Sequence, residues 1–174
     1  MLFQFDSSKC SSFTIRSAKY EDIEPLIKLR SIILDDGSGI YVSNSKVESD
    51  LWKKEYREWL KNKIGLCCLT KVVVAVNGYH EVVGCAIGII DHRAPIPGAL
   101  NGLIGWIQTV VVDPLWRNNG LASSIVDFLH KWFRDENVSR CVLQTTSNAE
   151  SLYLGLGYKY VGEKTLYHNT KVVP

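Results

Sequence analysis

The amino-acid sequence predicts a mixed α/β fold, and three observations lead there. Read for periodicity, the elements run β-α-α-β-β-β-α-β-α-β-β, which is not the strict alternation of a doubly wound parallel sheet. Two long apolar stretches, residues 66–76 and 82–90, show little alternation, so the sheet they belong to must be covered on both faces. The 174 residues, 46% apolar and 22% charged, suffice for a full hydrophobic core and have an ordinary globular composition. The expected organisation is a Ser-rich tail over residues 1–12 and a single domain over residues 13–174.

Phe13 to Arg16 reads as a short first strand. Tyr20 to Leu34 reads as a helix, because Ile23, Leu26, Ile27, Arg30, Ile33 and Leu34 recur on one helical face. Glu21 and Asp22 near its start suit the helix dipole, and Pro25 is tolerated within a first turn. The acidic, glycine-containing segment 35–39 breaks it. Ser45-Lys46-Val47-Glu48 fits a capping box that opens a second helix to about Asn62, with Val47, Leu51, Trp52, Tyr56, Trp59 and Leu60 as its stripe. Leu66 to Val76 and Val82 to Ile90 are strands, joined at Asn77-Gly78 into a hairpin. Residues 91–102, with Pro95, Pro97 and Gly98, form a loop at the end of the sheet. Trp106 to Val112 is a strand that stops at Asp113-Pro114, and an amphipathic helix follows Gly120. Val138 to Thr145 is a further strand, and Ser147 to Glu150 fits a second capping box before a short helix ending at Gly155 or Gly157. Tyr158 to Val161 and Lys164 to Tyr167 read as a closing pair of strands.

Composition excludes several classes of function. The net charge is +2, with basic and acidic residues interspersed, which argues against a nucleic-acid or anionic-membrane partner. The longest apolar run, Val82 to Ile90, is strand-sized, so no membrane span is expected, and the N-terminus shows no leader pattern. The five cysteines (Cys10, Cys67, Cys68, Cys85, Cys141) are odd in number and lack C-x-x-C spacing. That argues for a reducing, cytoplasmic setting, with Cys67, Cys68, Cys85 and Cys141 as small core residues. The four histidines are scattered, so no metal site is expected.

Residues 103–133 carry the chemistry. The helix after Gly120 buries Leu121, Ile125, Val126, Leu129, Trp132 and Phe133 and has no acid before Asp127. Its first N–H groups and the positive end of its dipole therefore lack a competing carboxylate. Arg117 adds a full charge, and Asn118, Asn119 and Gly120 suit a tight turn. The combination fits an anion site, phosphate included, although a plain strand–turn–helix connection needs the same residues. Neither G-x-x-x-x-G-K-S/T nor G-x-G-x-x-G occurs, so the P-loop and dinucleotide fingerprints are excluded.

The stretch Val112-Asp113-Pro114-Leu115-Trp116-Arg117-Asn118-Asn119-Gly120-Leu121-Ala122 resembles the acyl-CoA-binding signature of the GNAT N-acyltransferase superfamily, Q/R-x-x-G-x-G/A, with Arg117, Gly120 and Ala122 at its fixed positions. Ala149 to Tyr158 resembles that family's A-x-x-L-Y-x-x-x-G-F/Y segment, and the likeness spans roughly residues 13–168. The resemblance implies a mostly antiparallel sheet of about six to seven strands flanked by about four helices, with a bulged strand splayed from its neighbour at the CoA site. It implies acetyl-CoA as co-substrate, without a metal, and an amine as acceptor, either a small molecule or a peptide, and it is compatible with a homodimer. The cofactor would be held by Val110, Val111 and Val112 on the strand and by Arg117, Asn118, Asn119, Gly120, Leu121, Ala122 and Ser123 at the turn and helix start. The backbone N–H of Val110 would be the oxyanion donor, and Tyr153 the acid for the departing thiolate.

Two roles stay open. The strand before the turn offers only Gln108 and Thr109 where many family members have a glutamate base; Asp91, His92 and Glu163 are other candidates, as is ordered water. For the acceptor, Asp35 and Asp36 can attract an ammonium group, Gln108 faces the chemistry, and Tyr41, Trp52, Trp106 and Trp116 are candidate walls. A non-catalytic acyl-CoA-binding sensor or assembly module is the alternative to an N-acetyltransferase.

Overall fold

Both faces of the central strands are buried, as their unbroken apolar runs require. The computed structural model describes residues 12–35, 42–162 and 168. It divides into two compact units, the first ending at Gln144 and the second beginning at Thr145. In the first unit, strands β1 (Phe13–Ser17), β2 (Thr70–Asn77), β3 (Val82–His92), β4 (Leu103–Val112) and β5 (Arg140–Leu143) make one sheet in sequence order. The first four are mutually antiparallel, and β5 runs parallel to β4. That reversal of direction requires a crossover, which helix α3 (Leu121–Asp135) supplies.

Helices α1 (Ile23–Leu34) and α2 (Lys46–Lys63) cover one face. Leu26, Ile27, Tyr56 and Leu60 pack there against Val72, Val74 and Val76 of β2, Cys85 and Ile87 of β3, and Val111 of β4. The intervening Val73 and Ala75 are fully buried on the opposite face, beneath α3. All six apolar residues expected on the inner side of α3 are buried. Glycines let α3 approach closely: a Cβ at Gly88 would stand 2.8 Å from both Leu129 and Trp132, and one at Gly105 would stand 2.9 Å from Phe133.

Polar contacts fasten α1 to its surroundings. Asp22, buried at the N-cap of α1, accepts from Arg16 of β1 at 2.6 and 3.0 Å and from the Lys19 backbone at 2.7 Å. Arg57 of α2 pairs with Glu24 of α1 at 2.6 Å. At the other end of α1, Asp35 binds Lys53 at 2.7 Å and accepts from Trp52 Nε1 at 3.1 Å and Ser43 Oγ at 3.2 Å. The capping box at Ser45 forms in altered shape: Ser45 Oγ accepts from Glu48 N at 3.2 Å, while the Glu48 carboxylate accepts from Asn44 N.

Several expectations are corrected. The sheet has five strands among the described residues, below the six to seven expected. Tyr158–Val161 forms no strand, and the segment expected to pair with it, 164–167, lies outside the described residues, as do residues 1–11 of the tail. Residues 66–69 make turns ahead of β2, so Cys68 is exposed and Cys67 half-buried; of the expected core cysteines Cys85 alone is fully buried. The β2–β3 connection is a longer loop built on Asn77, whose Oδ1 accepts from Tyr79 N and Glu81 N at 2.9 Å, with His80 left-handed. Val47 and Leu51 are exposed, because only the latter half of the α2 stripe reaches the sheet. In the second unit, helix α4 (Glu150–Gly155) takes Ala149 as its N-cap, so the box expected at Ser147 does not form.

Two predictions follow from packing and charge. Gly88→Ala drives a methyl group into Leu129 and Trp132 and should destabilise the protein by about 1–3 kcal/mol; an unchanged urea midpoint would mean that α3 moves outward freely. Burial alone would raise the Asp35 carboxyl, but hydrogen bonds from Lys53, Trp52, Ser49 and Ser43 outweigh it and hold the pKa at about 2. Because that folded value lies below the unfolded one, its stabilisation is complete above about pH 4 and fades as pH falls toward 2. Urea midpoints measured across this window should fall less steeply for Asp35→Asn than for the wild type.

Candidate functional site

The site begins with an irregularity in β4. Cys85 opposes Val111 and Ile87 opposes Gln108, so Thr109 and Val110 together face Ala86. This is a β-bulge, one extra residue in β4. Thr109 holds a left-handed conformation, φ 56°, which a β-branched residue adopts only under constraint. Arg30 of α1 donates to Thr109 Oγ1 at 2.5 Å, and the Cys85 thiol approaches the Thr109 carbonyl at 3.9 Å. The extra residue changes the parity of the strand, so Gln108 and Val111, three apart, both turn toward α1 and α2.

Beyond the bulge β4 has one neighbour instead of two. Among the described residues β5 pairs with Ile104 to Ile107 only. From Gln108 to Val112 no strand among the described residues pairs with the backbone edge turned away from β3, and an edge of that kind can take a ligand that hydrogen-bonds as a strand would.

That edge leads into a turn tied by its own side chains. Asp113 Oδ1 accepts from Leu115 N at 3.0 Å across a 3₁₀ turn, Pro114–Trp116. Arg117 Nε donates to the Val112 carbonyl at 3.2 Å, and Asn119 Nδ2 donates to the carbonyls of Trp116 and Arg117 at 3.1 Å each. Phe13 meets Trp116 edge-to-face at 5.6 Å, anchoring the turn to β1. Asn118 and Gly120 are left-handed, with φ 63° and 73°. Gly120 is the N-cap of α3 and carries no capping side chain, and the first turn holds no acid. The N–H groups of Leu121, Ala122 and Ser123 are thus left to an external acceptor. No atom lies within 4 Å of a Cβ built at Gly120, so the approach is clear. These features fit a phosphate group.

On the α1–α2 face a cavity of about 570 Å³ opens between the helices and β3–β4. Trp52, Tyr56 and Trp59 form its aromatic wall; ring centroids lie 6.3 Å apart for the first pair and 6.0 Å for the second. Arg30, Gln108, Glu55, Glu58 and Asn62 bring polar groups. Arg30 stacks on Tyr56, its Cζ 4.6 Å from the ring centroid. Burial pushes the Tyr56 phenol well above its usual range, and it pushes the Cys85 thiol up to about 12, so both stay neutral at physiological pH.

In the second unit Tyr153 lies on α4 with its ring edge-on to Tyr158, centroids 5.8 Å apart. Burial raises its pKa, so its hydroxyl carries a proton at neutral pH.

Within the first unit, then, Val110, Val111 and Val112 lie on the bulged half of β4, and Arg117 to Ser123 form the turn and helix start into which that strand runs. Gln108 lines the cavity; Asp35 does not, its carboxylate being taken by Lys53, Trp52 and Ser43. Asp36, Tyr41 and Glu163 lie outside the described residues. Of the other expected walls Trp52 lines the cavity, Trp116 packs on Phe13, and Trp106 is absent from the lining. Asp91 is paired with Arg93 at 2.6 Å. Sequence reasoning missed Glu55 and the roles of Arg30 and Tyr56. A charge within the apolar recurrence of α1 was the available signal for Arg30. Among the described residues no group of three or more His, Cys, Asp or Glu side chains gathers as a metal site, and no helix is long and apolar enough to cross a membrane.

Comparison with known proteins agrees with this geometry. The sequence model of the acetyltransferase (GNAT) family matches residues 29–158. No curated protein matches the sequence significantly. Among solved structures, a predicted acetyltransferase with acetyl-CoA from Clostridium acetobutylicum superposes with a TM-score of 0.75 at 20% identity, over 90% of this chain and 96% of that one. The glucosamine-6-phosphate N-acetyltransferase of Arabidopsis thaliana gives 0.65 at 18% identity, over 90% and 98%. An aminoglycoside 6'-N-acetyltransferase from Acinetobacter baumannii gives 0.68 at 13% identity, over 93% and 100%.

Proposed function

Because the chain belongs to the acetyltransferase (GNAT) family, we propose that it moves an acetyl group from acetyl-CoA directly to a primary amine within a ternary complex. The observation that carries this reading is the continuity of the open, bulged edge of β4 with the acid-free N-terminus of α3. A long ligand with an amide-bearing arm and a pyrophosphate needs such an edge and such a terminus in sequence. The acetyl-CoA of the Clostridium acetobutylicum protein and the amine substrates named for the other two relatives support the same reading.

In this proposal the N–H groups from Arg117 to Ser123 hold the pyrophosphate, helped by the helix dipole, and Val110 to Val112 pair with the pantetheine arm. Acetyl-CoA supplies an activated thioester carbonyl, which the neutral amine attacks. The Val110 N–H steadies the negative charge on the carbonyl oxygen. As the new C–N bond forms and the C–S bond breaks, Tyr153 gives its proton to the leaving sulfur, and the amine nitrogen loses one to solvent. No carboxylate stands on β4 to accept that last proton, so water carries it out past Gln108. The same missing carboxylate supports the second reading, an acyl-CoA-binding module without turnover. Thiol release from acetyl-CoA in the presence of an amine panel separates the two.

Acetyl-CoA at about 100 times its Kd should stabilise the fold by roughly 2.7 kcal/mol, read as a rise in melting temperature. Gly120→Glu places a carboxylate at the phosphate position and should erase that rise; an undiminished shift in the mutant would show the turn to be only structural. Tyr153→Phe should lower kcat about 10-fold or more while leaving acetyl-CoA affinity nearly intact. Wild-type turnover in this mutant would remove Tyr153 from the mechanism.

A further inference from the structure

The cavity beside the bulge holds two polar groups that the acetyl-transfer reading leaves unused. Arg30 lines it as a half-buried cation. One Nη donates to Thr109 Oγ1 and the guanidinium carbon lies over the Tyr56 ring, yet among the described residues no carboxylate pairs with it. A guanidinium has five N–H donors, and those not used on Thr109 are free to exchange water in the cavity for an anion. Tyr56 is 8% exposed, and its buried hydroxyl has no partner at full hydrogen-bond geometry, Arg30 being the donor beside it. Buried polar groups of this kind are costly unless something bonds to them.

Both groups are donors, and both lie at the bulge end of the cavity, next to Gln108. The carboxylates that line the same space make no comparable demand. Glu58 is already bound to Lys61 at 2.8 Å and is 54% exposed, and Glu55 is exposed to solvent. Exposed charges are satisfied by water and need no ligand. The half-buried cation without a counter-charge therefore suits an anionic, planar acceptor of hydrogen bonds, and a carboxylate is one that binds a guanidinium in bidentate fashion.

We infer that the acceptor carries a carboxylate beside its reacting amine, held by the Arg30 guanidinium and the Tyr56 hydroxyl. This rests on the reading of the chain as an N-acetyltransferase. The acceptor is then of the amino-acid class, with its amine adjacent to the Val110 edge and its side chain along the Trp52–Trp59 wall. Arg30 becomes a specificity residue that also ties down Thr109.

The test is calorimetric titration of the full-length protein, saturated with CoA, with two matched pairs: L-phenylalanine against phenethylamine, and L-lysine against cadaverine. In the pair that binds more tightly, the amino acid should exceed its decarboxylated counterpart at least tenfold. Arg30→Met should abolish that preference, Arg30→Lys should keep part of it, and Tyr56→Phe should reduce it several-fold without weakening the plain amine. Equal or tighter binding of both plain amines, or no binding of any of the four, overturns the inference. So does an equal loss for both members of a pair in Arg30→Met, which would make Arg30 only structural. Thiol release, measured separately, keeps the two claims apart. A carboxylate preference without turnover counts against acetyl transfer alone, while turnover favouring the plain amines counts against the carboxylate alone.

Discussion

The hydrogen bond from Arg30 to the Thr109 hydroxyl joins α1 to a strand residue in a left-handed conformation. Much follows from that one extra residue. Without it, Gln108 and Val111 would point to opposite faces of the sheet, and the cavity would lose either its polar floor or part of its apolar seat. With it, β4 bends at the place where β5 stops following it. The opened backbone edge and the donor-lined cavity are thus two faces of one local distortion. A conformation of this kind costs about 1–3 kcal/mol and persists only where the surroundings over-determine it. Here the surroundings are a guanidinium bond on one side and eight residue pairs of antiparallel ladder with β3 on the other.

The opposite face of the sheet sets the position of the turn. Gly88 and Gly105 let α3 settle close to β3 and β4, and Leu121 and Ile125 bury its first turns. The helix N-terminus is therefore fixed by core packing and leaves its amides available to a ligand. A capping carboxylate would have stabilised the helix at the expense of that availability.

Much of this was legible in the sequence, because burial imposes periodicity. The six inner residues of α3, the doubly covered strands, the Ser45 cap and the Arg117–Ala122 turn all follow from local rules. The left-handed Gly120 and the missing first-turn acid were visible as residue types. Less legible was whatever depends on contacts across the chain. Asp35 looked like a free acidic attractant, but residues 17 and 18 positions later fold back to occupy it. Glu55 lies on the polar side of an ordinary amphipathic helix, and nothing in its neighbours marks it as lining a cavity. Thr109 carries no local signal for a left-handed backbone; its partner is 79 residues away. Tyr158 to Val161 has strand-like residue types, but such types in a short segment do not guarantee a ladder, and the segment expected to pair with it lies outside the described residues.

The open edge of β4 also bears on how the ligand-free protein survives in a crowded solution. A row of unsatisfied backbone donors and acceptors is a template for the strand of any other chain, and sheets with such edges are prone to intermolecular growth. The bulge at Thr109 and Val110 interrupts the regular spacing that a foreign strand would need. The irregularity that shapes the candidate site is thus also of the kind by which natural sheets discourage edge-to-edge pairing.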